Sequence, residues 1–294
     1  MLSVFNTSTI DTAGGSALVS VNWLASRLEQ DGLIILDASV PPVVPGFTSI
    51  NDDRQFAAIP GARRFDYDRE ICKPNSSLPH MMPGSDLFQE KVRDIGVHRD
   101  SLLVVYDDVG LYASPRAWWM FKAMGLDSVF VLDGGLPAWI EANMEVASEY
   151  ALGTGDGDFE AREDSDRLFC DAETVLVALD DPATQIVDAR SEGRFKGLEP
   201  EPRPRLRGGH MPNASNLPFG WVVEQGRLKS VPQLRSLFQD LISEDQKLIT
   251  SCGSGITACV LTLAAWEVGY RKLSVYDGSW AEWGSPSHLP VVTE

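Results

Sequence analysis

Short apolar runs recur along this chain, and each closes on a polar residue before a stretch of helical character. Leu33–Leu36 runs into Asp37, and Gln185–Val187 runs into Asp188. Leu102–Asp107 is answered by Leu248–Cys252, and Val129–Gly134 by Leu273–Gly278, the last two both ending in Asp-Gly with a tryptophan soon after (Trp139, Trp283). Ile59-Pro60-Gly61-Ala62 is answered in the same order by Met211-Pro212-Asn213-Ala214. Apolar runs of this length between turn signals predict short strands buried on both faces. The offset between the halves is 151 residues at Asp37 and Asp188 and 144 at Asp133 and Asp277, which marks a duplication with small gaps, not a short-period solenoid.

Between the strands, Ala113–Met124 and Thr257–Val268 are rich in Ala, Trp, Leu and Met, and each stops at a glycine (Gly125, Gly269). That is a helix with its usual ending. Strands alternating with helices predict an α/β fold, each half a small mostly parallel sheet flanked by helices. The expected domains are 18–147 and 168–294. Residues 148–167 carry three Gly and seven acids against two Arg, and read as an exposed linker. Trp118, Trp119, Trp266 and Trp283 are expected in the core.

A length of 294 residues suits two domains of ordinary size, and 44% apolar with 23% charged residues is a globular composition. Charge changes the picture more. With 25 Lys+Arg against 42 Asp+Glu, the net charge of −17 argues against a nucleic-acid ligand, and it obliges any small anionic substrate to find local cations. The first basic residue is Arg27, so no basic targeting segment is expected. The apolar run Ile256–Trp266 is too short to span a bilayer. Cys72, Cys170, Cys252 and Cys259 lie scattered without C-x-x-C spacing, which fits a reducing, cytoplasmic setting and neither a disulfide framework nor a zinc site. No metal and no organic cofactor is expected.

The segment that carries chemistry is Lys247-Leu-Ile-Thr-Ser-Cys252-Gly-Ser-Gly-Ile-Thr257-Ala-Cys259. A strand runs into Cys252, a glycine-rich loop follows, and a helix begins near Ile256 or Thr257. Cys252 thus stands at the C-terminal end of a strand, where open α/β sheets bind ligands. Gly253 and Gly255 let the backbone curl so that its N–H groups converge, a nest that stabilises an anion such as a thiolate or persulfide. Cys259 lies within the apolar helix and reads as core. Cysteine phosphatases use a similar loop but need an arginine six residues after the cysteine, where this chain has Ala258. Asp107 occupies the position of Cys252 in the first half. A carboxylate cannot accept sulfur, and the residues after Asp107 lack the Gly-Ser-Gly spacing. The first half is therefore expected to be catalytically silent, to lack an anion nest, and to form one wall of the cleft.

Cys252-Gly253-Ser254-Gly255-Ile256-Thr257 resembles the active loop of 3-mercaptopyruvate sulfurtransferases in the rhodanese family. The likeness extends through Gly193-Arg194-Phe195, Glu199-Pro-Glu-Pro-Arg203, Gly209-His210-Met211-Pro212 and Tyr276-Asp277-Gly278-Ser279-Trp280. In the first half it takes in Gly110–Arg116, Leu132-Asp133-Gly134-Gly135, Phe65–Asp68 and His80–Gly84. The resemblance implies two tandem rhodanese domains with the site in the second, facing the first. It implies Cys252 as nucleophile and Arg194 and Arg203 as grips for the donor's carboxylate. It further implies a proton relay of Ser254 with Asp68 and His80. Gly253, Gly255, Ile256 and Thr257 complete the substrate loop, and His210 has a structural role. The implied donor is 3-mercaptopyruvate and the implied acceptor a thiol such as thioredoxin, or cyanide. Thiosulfate as donor, or a persulfide carrier serving one protein partner, stays open. Thiosulfate enzymes of the family, however, carry cations at the positions of Gly253 and Ser254.

Overall fold

A computed structural model describes residues 15–52, 55–162 and 168–293. The reading of the N-terminal segment through residue 14, and the last part of the linker, 163–167, fall outside the described residues. The two halves build the same sheet. In the first, β1 (Leu18–Val19), β2 (Leu33–Asp37), β3 (Arg63–Arg64), β4 (Leu102–Tyr106) and β5 (Val129–Leu132) lie in the order β1-β5-β4-β2-β3. In the second, β6 (Phe169–Cys170), β7 (Thr184–Asp188), β8 (Ser215–Asn216), β11 (Lys247–Ser251) and β12 (Leu273–Tyr276) lie in the order β6-β12-β11-β7-β8. Every pairing within these two sheets is parallel. A small antiparallel hairpin, β9 (Val223–Glu224) and β10 (Arg227–Leu228), stands apart.

The central strands are apolar throughout because helices cover both faces. All of β4 is buried, as is β11 after Lys247. The helices Ser114–Ala123 and Thr257–Glu267 start just after the C-terminal ends of β4 and β11 and pack on each other, so one continuous core runs through both halves. Burial on nearly all sides is why neither helix has a polar stripe. Trp118, Trp119 and Trp283 are core residues, as expected. Trp266 is a correction: it is only half-buried, with Lys122 and Arg271 over its ring, because it sits where the paired helices emerge.

Residues 148–162 are mostly exposed but not loose. Backbone N–H groups of Ala151, Phe159 and Arg162 donate to Ala62, Val97 and Met124, and Phe159 is buried against the first half. From the second half, the Leu228 N–H donates to Asp133 Oδ1 and Arg227 Nη1 to the Asp133 carbonyl, which pins the hairpin across the junction. The effect is to fix the two halves against each other. No described helix is long and apolar enough to cross a membrane.

Candidate active site

Cys252 leaves the end of β11 and turns at once into the helix Thr257–Glu267. Its N–H donates to Ser279 Oγ at 3.2 Å, its carbonyl accepts from Trp280 N–H at 2.9 Å, and the Gly253 carbonyl accepts from Ala281 N–H at 2.9 Å. The loop is therefore clamped along its length by the start of the helix Ser279–Trp283. The Gly255 N–H points at Cys252 Sγ from 3.1 Å. That aim requires Gly255 at φ +79°, and a Cβ there would lie 2.5 Å from Arg116 Nη1. Cys252 is 2% exposed, so its sulfur is almost wholly withdrawn from solvent. Ile256 and Thr257 are buried, Ile256 in the shared core. Cys259 is also buried, its Sγ bonded to the Gly255 carbonyl at 3.3 Å, and burial pushes its thiol well up. It buttresses the loop and supplies no second nucleophile.

The two predicted arginines arrive from the segment after β7. A Cβ on Gly253 would lie 3.1 Å from Arg194 Nη2 and 3.9 Å from Arg203 Nη1, so both guanidiniums stand over the residue next to the nucleophile. Arg194 is held from behind by Glu201, whose Oε2 accepts from its Nη2 at 2.5 Å and its Nε at 3.2 Å. Glu201 Oε1 in turn accepts from Arg190 Nη1 at 2.7 Å, and Arg190 pairs with Asp188 and lies 3.9 Å from the Trp280 ring centroid. This buried network rests the arginine site on the end of β7. Arg203 makes no ion pair with another described residue, and its charge is felt by His80 and Tyr112 across the cleft.

The first half supplies the opposite wall. Arg116, fully buried in the helix Ser114–Ala123, donates to the Gly255 carbonyl at 2.9 Å, to Asp277 Oδ1 at 2.7 Å and to the His80 carbonyl. Asp277 Oδ2 also accepts the Met82 N–H at 2.8 Å. Asp68 and His80 meet as expected, with Asp68 Oδ1 2.8 Å from His80 Nδ1, although off the line of the ring N–H. Burial, and then the guanidiniums of Arg116 and Arg203, push His80 down to about 3. The Asp68 carboxylate pulls the other way, but it is 30% exposed and solvent weakens it, so the imidazole is neutral. Ser254 is buried in the loop, and its hydroxyl bonds to neither Asp68 nor His80. The structure thus joins Asp68 and His80 of the expected relay and leaves Ser254 separate.

The position of Asp107 brings a correction. Without the Gly-Ser-Gly spacing no anion nest was expected, yet one is present. Asp107 Oδ1 accepts the N–H groups of Val109 and Gly110, and Oδ2 accepts those of Tyr112, Ala113 and Ser114 together with the Ser114 hydroxyl. The first loop is two residues longer before its helix, and Gly110 alone gives it the needed bend, at φ +127°. The nest exists and is filled by its own carboxylate.

Two residues that shape the site have no role that the sequence alone assigns. Arg116 is one residue of the Gly110–Arg116 motif, although a charged residue followed by Ala117-Trp118-Trp119-Met120-Phe121 must find a buried partner. Glu201 likewise stood between two arginines in sequence without a function. His210 is structural: its Nδ1 lies 2.9 Å from the Phe195 carbonyl and its ring stacks on Phe195. Among the described residues no cluster of His, Cys, Asp and Glu could hold a metal ion.

The rhodanese-like domain model matches this chain twice, over residues 20–142 and 171–286. The chain is 37% identical over 276 residues to 3-mercaptopyruvate sulfurtransferase from Escherichia coli strain K12, covering 93% of this chain and 96% of that one. It is 38% identical over 277 residues to a thiosulfate sulfurtransferase from Cricetulus griseus, covering 91% of each. Among solved structures, the crystal structure of the 3-mercaptopyruvate sulfotransferase SseA from Escherichia coli superposes with a TM-score of 0.79 at 33% identity, over 91% of this chain and 100% of that one.

Proposed function

Since this chain belongs to the rhodanese family, we propose that it is a sulfurtransferase that takes sulfane sulfur from 3-mercaptopyruvate onto Cys252 and passes it to a thiol acceptor. One observation carries the reading: a cysteine sulfur faces a backbone N–H at 3.1 Å in a glycine-shaped turn, with two guanidiniums over the adjoining residue. A turn of this kind receives a negative sulfur, and the guanidiniums receive a carboxylate two carbons away from the donor's thiol. In the first step the Cys252 thiolate attacks the thiol sulfur of mercaptopyruvate. The S–S bond forms as the C–S bond breaks, and the electron pair leaves as the enolate of pyruvate, steadied by Arg194 and Arg203. The donor's thiol proton balances the step, ending on the methyl carbon of pyruvate and leaving an anionic persulfide on Cys252. In the second step an acceptor thiolate, or cyanide, attacks the outer sulfur and restores the Cys252 thiolate. His80, neutral and beside Asp68, is the proton carrier we assign to the enolate, with Ser254 as a donor to the persulfide. Domain limits of 18–147 and 168–294 fit this division of labour, with the first domain as wall and anchor.

The resemblance to a thiosulfate enzyme makes donor choice the decisive measurement. Pyruvate release from mercaptopyruvate and thiocyanate formation from thiosulfate should be compared on one preparation, with cyanide as common acceptor. Intact mass after donor treatment should show one added sulfur, absent in Cys252→Ser. Faster turnover of thiosulfate than of mercaptopyruvate, or full activity in Cys252→Ser, would overturn the proposal.

A further inference from the structure

Among the described residues, the cations around the cleft are paired with one exception. Arg190 and Arg194 face Asp188 and Glu201 in a buried quartet, two positive and two negative. Arg116 is matched by Asp277. His80 is neutral, and Asp68 on its far side is partly in solvent. Arg203 stands over Gly253 without an anionic partner among the described residues. Glu201 is the pivot of this balance. Its side chain is 2% exposed, and each of its oxygens is committed to one guanidinium.

We propose that Glu201 sets the charge of the donor pocket: by closing an ion pair with Arg194 it leaves Arg203 as the one uncompensated cation, and so fits the pocket to a monocarboxylate in preference to a dianion. This rests on the reading of the cleft as a mercaptopyruvate site. An anion entering the pocket meets a nucleophile that is itself negative, before transfer as a thiolate and after it as a persulfide. One free cation balances a monocarboxylate whose charge lies at the far end from its sulfur. A dianion keeps an unanswered charge next to Cys252, in a cleft where water screens poorly. The loop lacks cations of its own at Gly253 and Ser254, so the arginine site alone decides how much negative charge is tolerated. Glu201 is a specificity-determining residue that acts through Arg194 and touches no reacting atom.

The test reads pocket occupancy without turnover. Alkylation of Cys252 by iodoacetamide is followed by peptide mass spectrometry, with sulfate or pyruvate as protecting anion at fixed ionic strength. In Glu201→Gln the freed Arg194 charge should raise protection by sulfate relative to pyruvate at least about tenfold. In Arg194→Gln with Glu201→Gln, which removes both charges, the ratio should return to within about threefold of wild type. A merely structural role for Glu201 would weaken both anions together and would not be rescued by the second change. An unaltered ratio in folded Glu201→Gln, or a raised ratio that persists in the double variant, would overturn the proposal. Should Glu201→Gln fail to fold, Arg203→Gln decides: losing the sole free cation should abolish protection by pyruvate, and retained protection refutes the charge count. Failure of wild type to turn over mercaptopyruvate would count against the donor assignment and leave these protection ratios to be judged on their own.

Discussion

Replacing Arg116 with methionine removes a first-domain charge from the second domain's catalytic loop while keeping most of the side-chain stem. Three loops lose an anchor at once, because Arg116 bonds the Gly255 carbonyl at 2.9 Å, Asp277 at 2.7 Å and the His80 carbonyl. Asp277, 6% exposed, would keep only the Met82 N–H as a partner for its carboxylate. Breaking a buried ion pair from one side costs about 3–5 kcal/mol. Some of that is recovered, since the Arg116 Nε–H is buried without an acceptor and an orphan of this kind itself costs about 1–3 kcal/mol. We therefore expect Arg116→Met to lose about 3 kcal/mol in urea unfolding followed by tryptophan fluorescence, at the low end of the pair range. Activity should fall further than stability implies. The Gly255 N–H is aimed at Cys252 while the Gly255 carbonyl is tethered on the other side, so kcat/KM for pyruvate release should drop at least about tenfold, one lost charge-assisted bond. Adding Asp277→Asn should restore part of the stability, because no orphan charge then remains, but none of the activity. A loss below about 1 kcal/mol with unaltered kcat/KM would refute the anchoring role.

The remaining expectations concern the silent loop and pH. Asp107→Ala orphans five backbone N–H groups, four of them buried, and should cost at least about 3 kcal/mol in the same urea assay, several unmet donors at about 1–3 kcal/mol each less the gain from admitted water. Asp107→Cys combined with Cys252→Ser should release no pyruvate from mercaptopyruvate, because the arginine pair stands at Gly253 and not at the first loop; measurable turnover would refute this. His80 is held neutral down to about 3 when folded and protonates near 6.5 when unfolded. Below pH 6.5 the unfolded chain binds a proton that the folded one refuses, so stability falls as pH drops towards 3, by up to about 1.4 kcal/mol per unit. His80→Asn, which tolerates the left-handed φ of +59° at this position, should show a shallower fall between pH 6.5 and 4.5; parallel curves would mean that His80 is not held neutral.

The duplicated strand ends were readable because a strand buried on both faces leaves a solid apolar run, as in Leu102–Tyr106 and Leu248–Ser251. Edge strands such as Leu18–Val19 and Phe169–Cys170 were not. Two residues carry no periodicity, and only pairing with β5 and β12 makes them strands. Of the site, the nucleophile and its loop followed from local sequence, since a glycine-rich turn between strand and helix is a local object. The arginine pair followed from resemblance. What escaped was set by long-range pairing: Arg116 reaches Gly255 across 139 residues, and Met82 reaches Asp277 across 195. The nest at Asp107 escaped for another reason. Gly-Ser-Gly is one way to converge N–H groups, and a longer loop with a single glycine at Gly110 is another that spacing rules do not register.

The two loops, taken together, explain how one scaffold supports a silent half and an active half. Each central strand delivers a side chain to backbone N–H groups of the loop before a helix, five at Asp107 and one at Cys252, a place that favours negative charge whatever supplies it. In the first half the charge is Asp107, fixed by covalent bonds, and five N–H groups of the loop are spent on it. In the second half the facing atom is Cys252 Sγ, and Gly255 is the one N–H held on it at rest. Donors left unspent by the resting sulfur are available to a persulfide that arrives and departs. A nest that is already full stabilises the fold, and a nest that is nearly empty can stabilise an intermediate. The full one serves the other directly, since the helix that Asp107 caps is the helix that carries Arg116 to the Gly255 carbonyl.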